Sequence, residues 1–216
     1  MKLYFVKTPR IFKLFFFRRI WNFSTKKKAI YLTFDDGPTP EITEWTLNEL
    51  EKHNAKATFF CIGKNAEKHP EIIEKIIANN HAIGNHTFNH LKGVKTTISN
   101  FVKNTLETQQ LFERNTTIKT QNSKLFRPPY GRMTLKQAKE LRKKGFKIIM
   151  WDVLSGDFDT SITKDKCLQN VIKNIESGSI VVFHDSEKAS EKLKYVLPQL
   201  LEYYTYKGYQ FKKIDT

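Results

Sequence analysis

Apolar runs and helix-period segments alternate along most of the chain. Ala29-Ile30-Tyr31-Leu32 is β-branched and aromatic-rich, and Thr33-Phe34-Asp35-Asp36-Gly37-Pro38 follows it, which predicts a strand that stops at a polar rim and turns sharply. Pro40-Glu41 then opens a helical pattern with Ile42, Trp45, Leu47 and Leu50 on its apolar side, since Pro and acids suit a first turn. Residues 57–62 predict a second strand ended by Gly63. Residues 65–79 predict one helix running through Pro70, with Ile72, Ile73, Ile76 and Ile77 on one face. The alternation continues with strands at 81–85, around Leu125-Phe126, at 147–151, 179–183 and 209–213, and helices at 97–114, 134–144, 164–176 and 190–206.

Strands separated by helices at this spacing predict parallel βαβ units, and about seven of them fit a closed or nearly closed barrel in a single α/β domain. Neither an internal repeat nor an interdomain linker interrupts it. The polar residues that break the pattern follow the ends of the apolar runs: Asp35 and Asp36, His86 and His90, Arg127 and Tyr130, Asp152 and Asp157, His184 and Asp185. In a βα barrel those ends share one face, where active sites are built.

Composition changes the picture mainly at the N-terminus. The formal charge is +15, from 37 basic and 22 acidic residues, but residues 1–28 hold nine Lys or Arg and no acid, leaving +6 elsewhere (15 − 9). With the charge concentrated outside the body, no nucleic-acid role is expected. Ile11-Phe12-Lys13-Leu14-Phe15-Phe16-Phe17 is too short for the ~20 residues of a membrane span, and no small-residue cleavage site follows it. Residues 1–28 are therefore read as a basic, aromatic extension that either touches an anionic membrane or packs on the body, and the location as cytoplasmic or peripheral to a membrane. Cys61 and Cys167 lack a disulfide or metal spacing and are read as buried thiols. His53, His69 and His81 lie away from the strand-end clusters and are read as surface or capping residues.

The strand-end residues have a chemistry in common. Adjacent carboxylates at Asp35 and Asp36 repel each other unless a positive charge lies nearby, although Asp-Asp-Gly-Pro is also an ordinary turn sequence. His86 and His90, at i and i+4, meet on one side if they lie on a helical turn. With Asp36 they make two imidazoles and one carboxylate, a donor set that suits a catalytic metal with open positions.

Thr33-Phe34-Asp35-Asp36-Gly37-Pro38 and His86-Thr87-Phe88-Asn89-His90 resemble the first two motifs of the polysaccharide deacetylases, the carbohydrate esterases that share the rhizobial chitooligosaccharide deacetylase domain. Arg127-Pro128-Pro129-Tyr130-Gly131, Trp151-Asp152 through Asp157-Phe158, and Val181-Val182-Phe183-His184 match the later motifs in order. The resemblance runs from about Ile30 to the C-terminus, and five ordered motifs make it specific.

The resemblance implies a distorted (β/α)7 TIM-like barrel over residues 29–216 and removal of N-acetyl groups from an N-acetylglucosamine-containing glycan, peptidoglycan or chitin-like. It implies a divalent metal, zinc first, with Co2+, Ni2+ or Mn2+ as substitutes, on Asp36, His86 and His90. By the same matching Asp35 is the base, Arg127 orients it, the backbone N–H of Tyr130 meets the oxyanion, His184 is the acid and Asp157 keeps it charged. Pro129, Phe158 and Val182 are assigned to substrate contact. The chain departs from the family in having Phe158 where Trp is usual and Val182 where Leu is frequent, so an indole N–H and some wall volume are missing. Two alternatives stand beside this reading: hydrolysis of another C–N bond, such as a cyclic amide or ureide, and glycan binding without turnover. An N-acetylated glycan is the expected partner, and a monomer the expected state.

Overall fold

The computed structural model describes residues 4–24, 26–114 and 124–215. Its frame is a curled, parallel, eight-stranded sheet: β1 (Ala29–Asp35), β2 (Ala57–Cys61), β3 (Ala82–Asn85), β4 (Lys124–Phe126), β5 (Phe146–Ile148), β6 (Val153–Leu154), β7 (Ile180–His184) and β8 (Gln210–Phe211). The spatial order is β5-β4-β3-β2-β1-β7-β6, with β8 paired to the start of β1. The helices are α1 (Arg10–Phe15), α2 (Ile42–Lys52), α3 (Gly63–Lys68), α4 (Pro70–Ala78), α5 (Ile98–Arg114), α6 (Leu135–Lys143), α7 (Lys164–Ile172) and α8 (Ser190–Tyr206). This is the single-domain α/β barrel architecture that the alternation predicts. None of the described helices is long and apolar enough to cross a membrane.

β1 is central, flanked by β2 and β7, and all but one of its residues are buried. A parallel strand covered on both faces needs a nearly continuous apolar run, which Ala29 to Phe34 supplies. Phe34 stacks on Phe59 of β2 at 5.0 Å between ring centres and on Phe183 of β7 at 6.1 Å, so one aromatic layer ties three adjacent strands. The registers Asp35↔Phe60 and Asp35↔His184 bring the C-terminal ends of these strands level. Residues just beyond them therefore meet at one rim.

The barrel has a seam between β5 and β6, and the N-terminal segment lies along it. Ile20 donates its N–H to Ile148 O (2.8 Å) and accepts from Met150 N (2.7 Å), while Val6 O accepts from Leu154 N (2.8 Å) and Thr8 N donates to Asp152 O (2.8 Å). Edge strands that would otherwise present unpaired backbone are covered in this way. Asp152 clamps the segment through Lys7 (2.8 Å) and Lys13 (2.7 Å) and accepts from Ser179 Oγ (2.6 Å).

Four local expectations change. The helix expected over 65–79 is two helices, because His69, which precedes Pro70, takes φ −130°, ψ 57°, and Pro70 starts α4 at a position where its missing N–H costs nothing. The strand expected at 147–151 is the shorter β5, and a separate two-residue β6 follows it. α1 was not signalled by the sequence. His81, read as a surface residue, is buried; its Nδ1 accepts from Ala57 N (3.1 Å), and burial pushes its pKa down to about 3. Both cysteines are buried and unpaired, as read.

Candidate active site

Asp36 follows the last residue of β1 with φ 82°, a conformation that L-residues rarely adopt. The Gly37-Pro38 peptide bond that follows is cis, and the Asp36 carbonyl accepts from Asn65 Nδ2 (2.8 Å). Asp185, just beyond β7, accepts from Gly37 N at Oδ1 (3.0 Å) and from Thr43 Oγ1 of α2 at Oδ2 (2.6 Å). A Cβ at position 37 would lie 2.0 Å from Asp185 Oδ2, so this turn requires glycine. Burial pushes the Asp185 carboxyl up to about 7, and the Thr43 hydroxyl and neighbouring amides oppose it.

His86 and His90 reach Asp36 from the loop after β3. Their convergence is not helical: Thr87 has φ 64° and His90 φ 53°. A β-branched residue in that region is strained, and Thr87 is held there by Asn85 Oδ1, which accepts its N–H (2.9 Å), while its own Oγ1 accepts from Leu91 N (3.1 Å). The i, i+4 spacing thus brings the rings together by a loop that the helical-turn reading did not foresee. Their centres are 5.1 Å apart.

Asp36 Oδ1 lies 3.6 Å from His86 Nε2 and 3.2 Å from His90 Nε2, and one donor atom of each residue falls within 4.8 Å of the others. His86 Nδ1 sits 2.8 Å from Arg127 O; a carbonyl only accepts, so Nδ1 carries the proton and Nε2 keeps its lone pair toward Asp36. Burial lowers the His86 pKa to about 4, although Asp35 and Asp36 oppose it, so this ring is neutral at pH 7. Burial pushes the Asp36 carboxyl up, but the imidazoles of His90, His184 and His86 outweigh it and hold it well below the usual carboxylate range.

Asp36 Oδ1 is buried and has no hydrogen-bond partner, although His90 Nε2 lies 3.2 Å away as an ion-pair neighbour. An orphaned carboxylate oxygen facing two imidazole nitrogens fits a divalent cation.

Asp35 points elsewhere. Its Oδ1 accepts from Arg127 Nη1 (2.6 Å), which also donates to Thr33 Oγ1 (2.7 Å), while Arg127 Nη2 donates to Met150 O (2.9 Å). The guanidinium is wholly buried and lies 4.1 Å over the Phe60 ring. Burial lowers its pKa, and Asp35 counteracts that by favouring the charged form.

Across the cavity, His184 Nδ1 lies 2.8 Å from Asp157 Oδ1, and Asp157 Oδ2 accepts from His184 N (2.7 Å). Burial alone would lower the His184 pKa; Asp157, with help from Asp36 and Asp35, raises it to about 9. Phe158 packs its ring edge-on to His184 at 5.1 Å.

These residues surround a cavity of about 660 Å³, within the range of small-ligand sites. Asp35, Asp36, His86, His90, Tyr130, Phe158, Val182 and His184 line it. Arg127 and Asp157 stand behind Asp35 and His184, and Pro129 is buried beneath the Tyr130 turn and does not line the cavity. Tyr130 itself has φ 59° and is exposed, its ring 4.7 Å from that of His90. Asp152, a strand-end carboxylate, belongs to the N-terminal clamp instead.

Sequence reasoning missed Tyr4. It lines the cavity from the N-terminal segment, its ring 5.4 Å from Phe158. Burial, with a hydrogen bond to Asp159, pushes its hydroxyl pKa up to about 12. No local pattern marks Tyr4, because its position depends on the seam pairing of Val6 with Leu154. Trp151, Leu154, Lys92, Arg132 and Lys188 complete the apolar wall and a basic rim.

The curled parallel barrel brings together at its strand ends an Asp-His-His cluster that could hold a metal ion, an Arg-held carboxylate and an Asp-held imidazole, the kinds of group that metal-assisted hydrolysis uses. The family model described as polysaccharide deacetylase matches residues 23–149, more than half of the chain. The chain belongs to the polysaccharide deacetylase family, whose members are metal-dependent. It is 34% identical over 179 residues to a peptidoglycan-N-acetylglucosamine deacetylase of Bacillus cereus, covering 81% of this chain and 64% of that protein. A second Bacillus cereus protein of the same description is 30% identical over 196 residues, covering 90% of each chain. The solved structure of the Bc1960 peptidoglycan N-acetylglucosamine deacetylase matches with TM-score 0.86 and 30% identity, over 96% of this chain and 95% of that one. The chain thus spans just under two thirds of the first relative and nearly all of the second.

Proposed function

We propose that this chain is a metal-dependent N-deacetylase acting on N-acetylglucosamine units of a polymeric glycan, with peptidoglycan the favoured substrate. The observation that carries the reading is the division of labour between adjacent carboxylates: Asp36 faces His86 and His90, while Asp35 is held by Arg127. Peptidoglycan is favoured by the two relatives named for it and by Lys92, Arg132 and Lys188, whose charges suit a negatively charged polymer. Residues 29–216 form the catalytic body in this reading, and the 1–28 extension contributes Tyr4 to the cavity.

Asp36, His86 and His90 would hold the cation, and zinc fits a two-imidazole, one-carboxylate set. When bound, the ion supplies a Lewis acid for the amide carbonyl and lowers the pKa of water. Asp35 takes the proton from the attacking water; its contact with Arg127 fixes the orientation of the carboxylate. The Tyr130 N–H donates to the oxygen of the amide as negative charge builds there. His184 gives its Nε2 proton to the leaving amine, and Asp157 at Nδ1 keeps the ring charged and aimed. Phe158, Val182 and Leu154 enclose the acetyl methyl group.

The test is acetate release from peptidoglycan, chitin oligomers and small N-acetyl sugars, each with and without chelator. Chelator-sensitive release from the polymers supports the reading. Ring opening of cyclic amides without acetate release, or glycan binding without turnover, would replace it.

A further inference from the structure

The described part of the N-terminal segment carries a concentration of exposed apolar surface that the deacetylase site does not use. Twelve large hydrophobic side chains stand out as exposed among the described residues, and six of them (Phe5, Ile11, Phe12, Leu14, Phe15, Phe17) fall within thirteen positions. Leu14, Phe15 and Phe17 are 72%, 75% and 74% exposed, and no residue of α1 is buried. Scattered exposed apolar residues need no explanation, but a contiguous group marks a contact surface.

This surface is held in place. Lys13 and Lys7 are tied to Asp152, Thr8 Oγ1 donates to Trp151 O (2.8 Å), and Trp21 Nε1 donates to Phe16 O (3.2 Å), so the turn of α1 is fixed while its aromatic side chains face outward. The Phe5 ring packs at 5.6 Å from Phe12 and extends the patch toward Tyr4, the cavity-lining residue.

The charge around the patch selects its occupant. Exposed Arg10 and Arg18 flank it, and residues 1–28 contain no acid. A second copy would bring the same positive charge against it. A soluble polyanion would satisfy the cations and leave the Phe and Leu side chains in water. A surface that is both anionic and apolar just beneath satisfies both, and an anionic lipid bilayer is such a surface.

We propose that residues 5–18 dock the protein peripherally on anionic phospholipid membrane, with Leu14, Phe15 and Phe17 entering the interface and Arg10 and Arg18 at the headgroups. Because Tyr4 lines the cavity and Phe5 belongs to the patch, docking places the substrate cavity next to the membrane surface. This inference does not depend on the deacetylase reading.

The test is co-sedimentation of the full chain with phosphatidylcholine vesicles, with and without phosphatidylglycerol, at low and high salt. Wild type is expected on the phosphatidylglycerol vesicles, with binding reduced by salt. Replacing Arg10 and Arg18 by Ala should weaken partitioning about fivefold per cation. The triple variant Leu14→Ser, Phe15→Ser, Phe17→Ser should lose it at least about tenfold with an unchanged unfolding midpoint, since these side chains are already in water. Vesicle binding by the triple variant equal to wild type would overturn the proposal. So would polyphosphate binding without vesicle binding, or self-association that the triple variant abolishes in a chain that ignores vesicles.

Discussion

Arg127 Nη1 lies 2.6 Å from Asp35 Oδ1, and the guanidinium is entirely buried. Breaking a buried pair leaves an uncompensated charge, whereas making it gains little net stability. Arg127→Ala is therefore expected to destabilise the fold by about 3–5 kcal/mol, measured by urea unfolding, because Asp35 and the Met150 carbonyl lose their donor together. Arg127→Lys should recover part of the stability but little activity, since a single ammonium cannot reproduce the planar fork.

Asp36 tests the proposed metal set. Wild type is expected to bind one zinc ion per chain by calorimetry or elemental analysis, and to gain thermal stability with added zinc. Asp36→Ala should lose both effects, because the remaining imidazoles keep only part of the donor set.

His184 carries the pH prediction. In the metal-free protein its folded pKa, about 9, lies above the ordinary imidazole value of 6.5, because Asp157 favours the charged form, so folding favours the protonated ring. The sign follows: its contribution to stability is complete below about 6.5 and is lost as pH rises from there through about 9. NMR titration of the metal-free protein should show this high value, and Asp157→Asn should bring it down by removing the adjacent charge. An unshifted His184 in Asp157→Asn would reject Asp157 as the cause.

Tyr4 tests the contribution of the N-terminal segment to the site. Tyr4→Ala removes one aromatic wall beside Phe158 and should raise KM about three- to tenfold with little change in kcat, measured on a soluble oligosaccharide. An equal fall in kcat with KM unchanged would place Tyr4 in the reaction step instead.

The sequence was most readable where local chemistry and fold periodicity agree. β1 shows as an apolar run because both its faces are buried, and its end shows as Asp35-Asp36-Gly37-Pro38 because that turn needs glycine against Asp185. The Asp36, His86 and His90 cluster followed from residue types, although the loop that unites the two imidazoles uses left-handed backbone at Thr87 and His90 that spacing cannot reveal. Pro70 did signal a helix boundary; the strong Ile periodicity that follows it, from Ile72 to Ile77, belongs to α4 alone and does not extend back across the break at His69. The seam pairing of Val6 and Ile20 with Leu154 and Ile148 joins residues more than a hundred positions apart, and no local pattern encodes it. Tyr4 in the cavity and Asp152 in the clamp both follow from that pairing.

The most direct measurement is acetate release from peptidoglycan by zinc-loaded wild type and Asp35→Asn, with zinc content determined on the same samples. If, as proposed, Asp35 moves the proton while Asp36, His86 and His90 hold the ion, the variant retains its zinc and loses at least about a hundredfold in rate. Undiminished acetate release by zinc-loaded Asp35→Asn would contradict it.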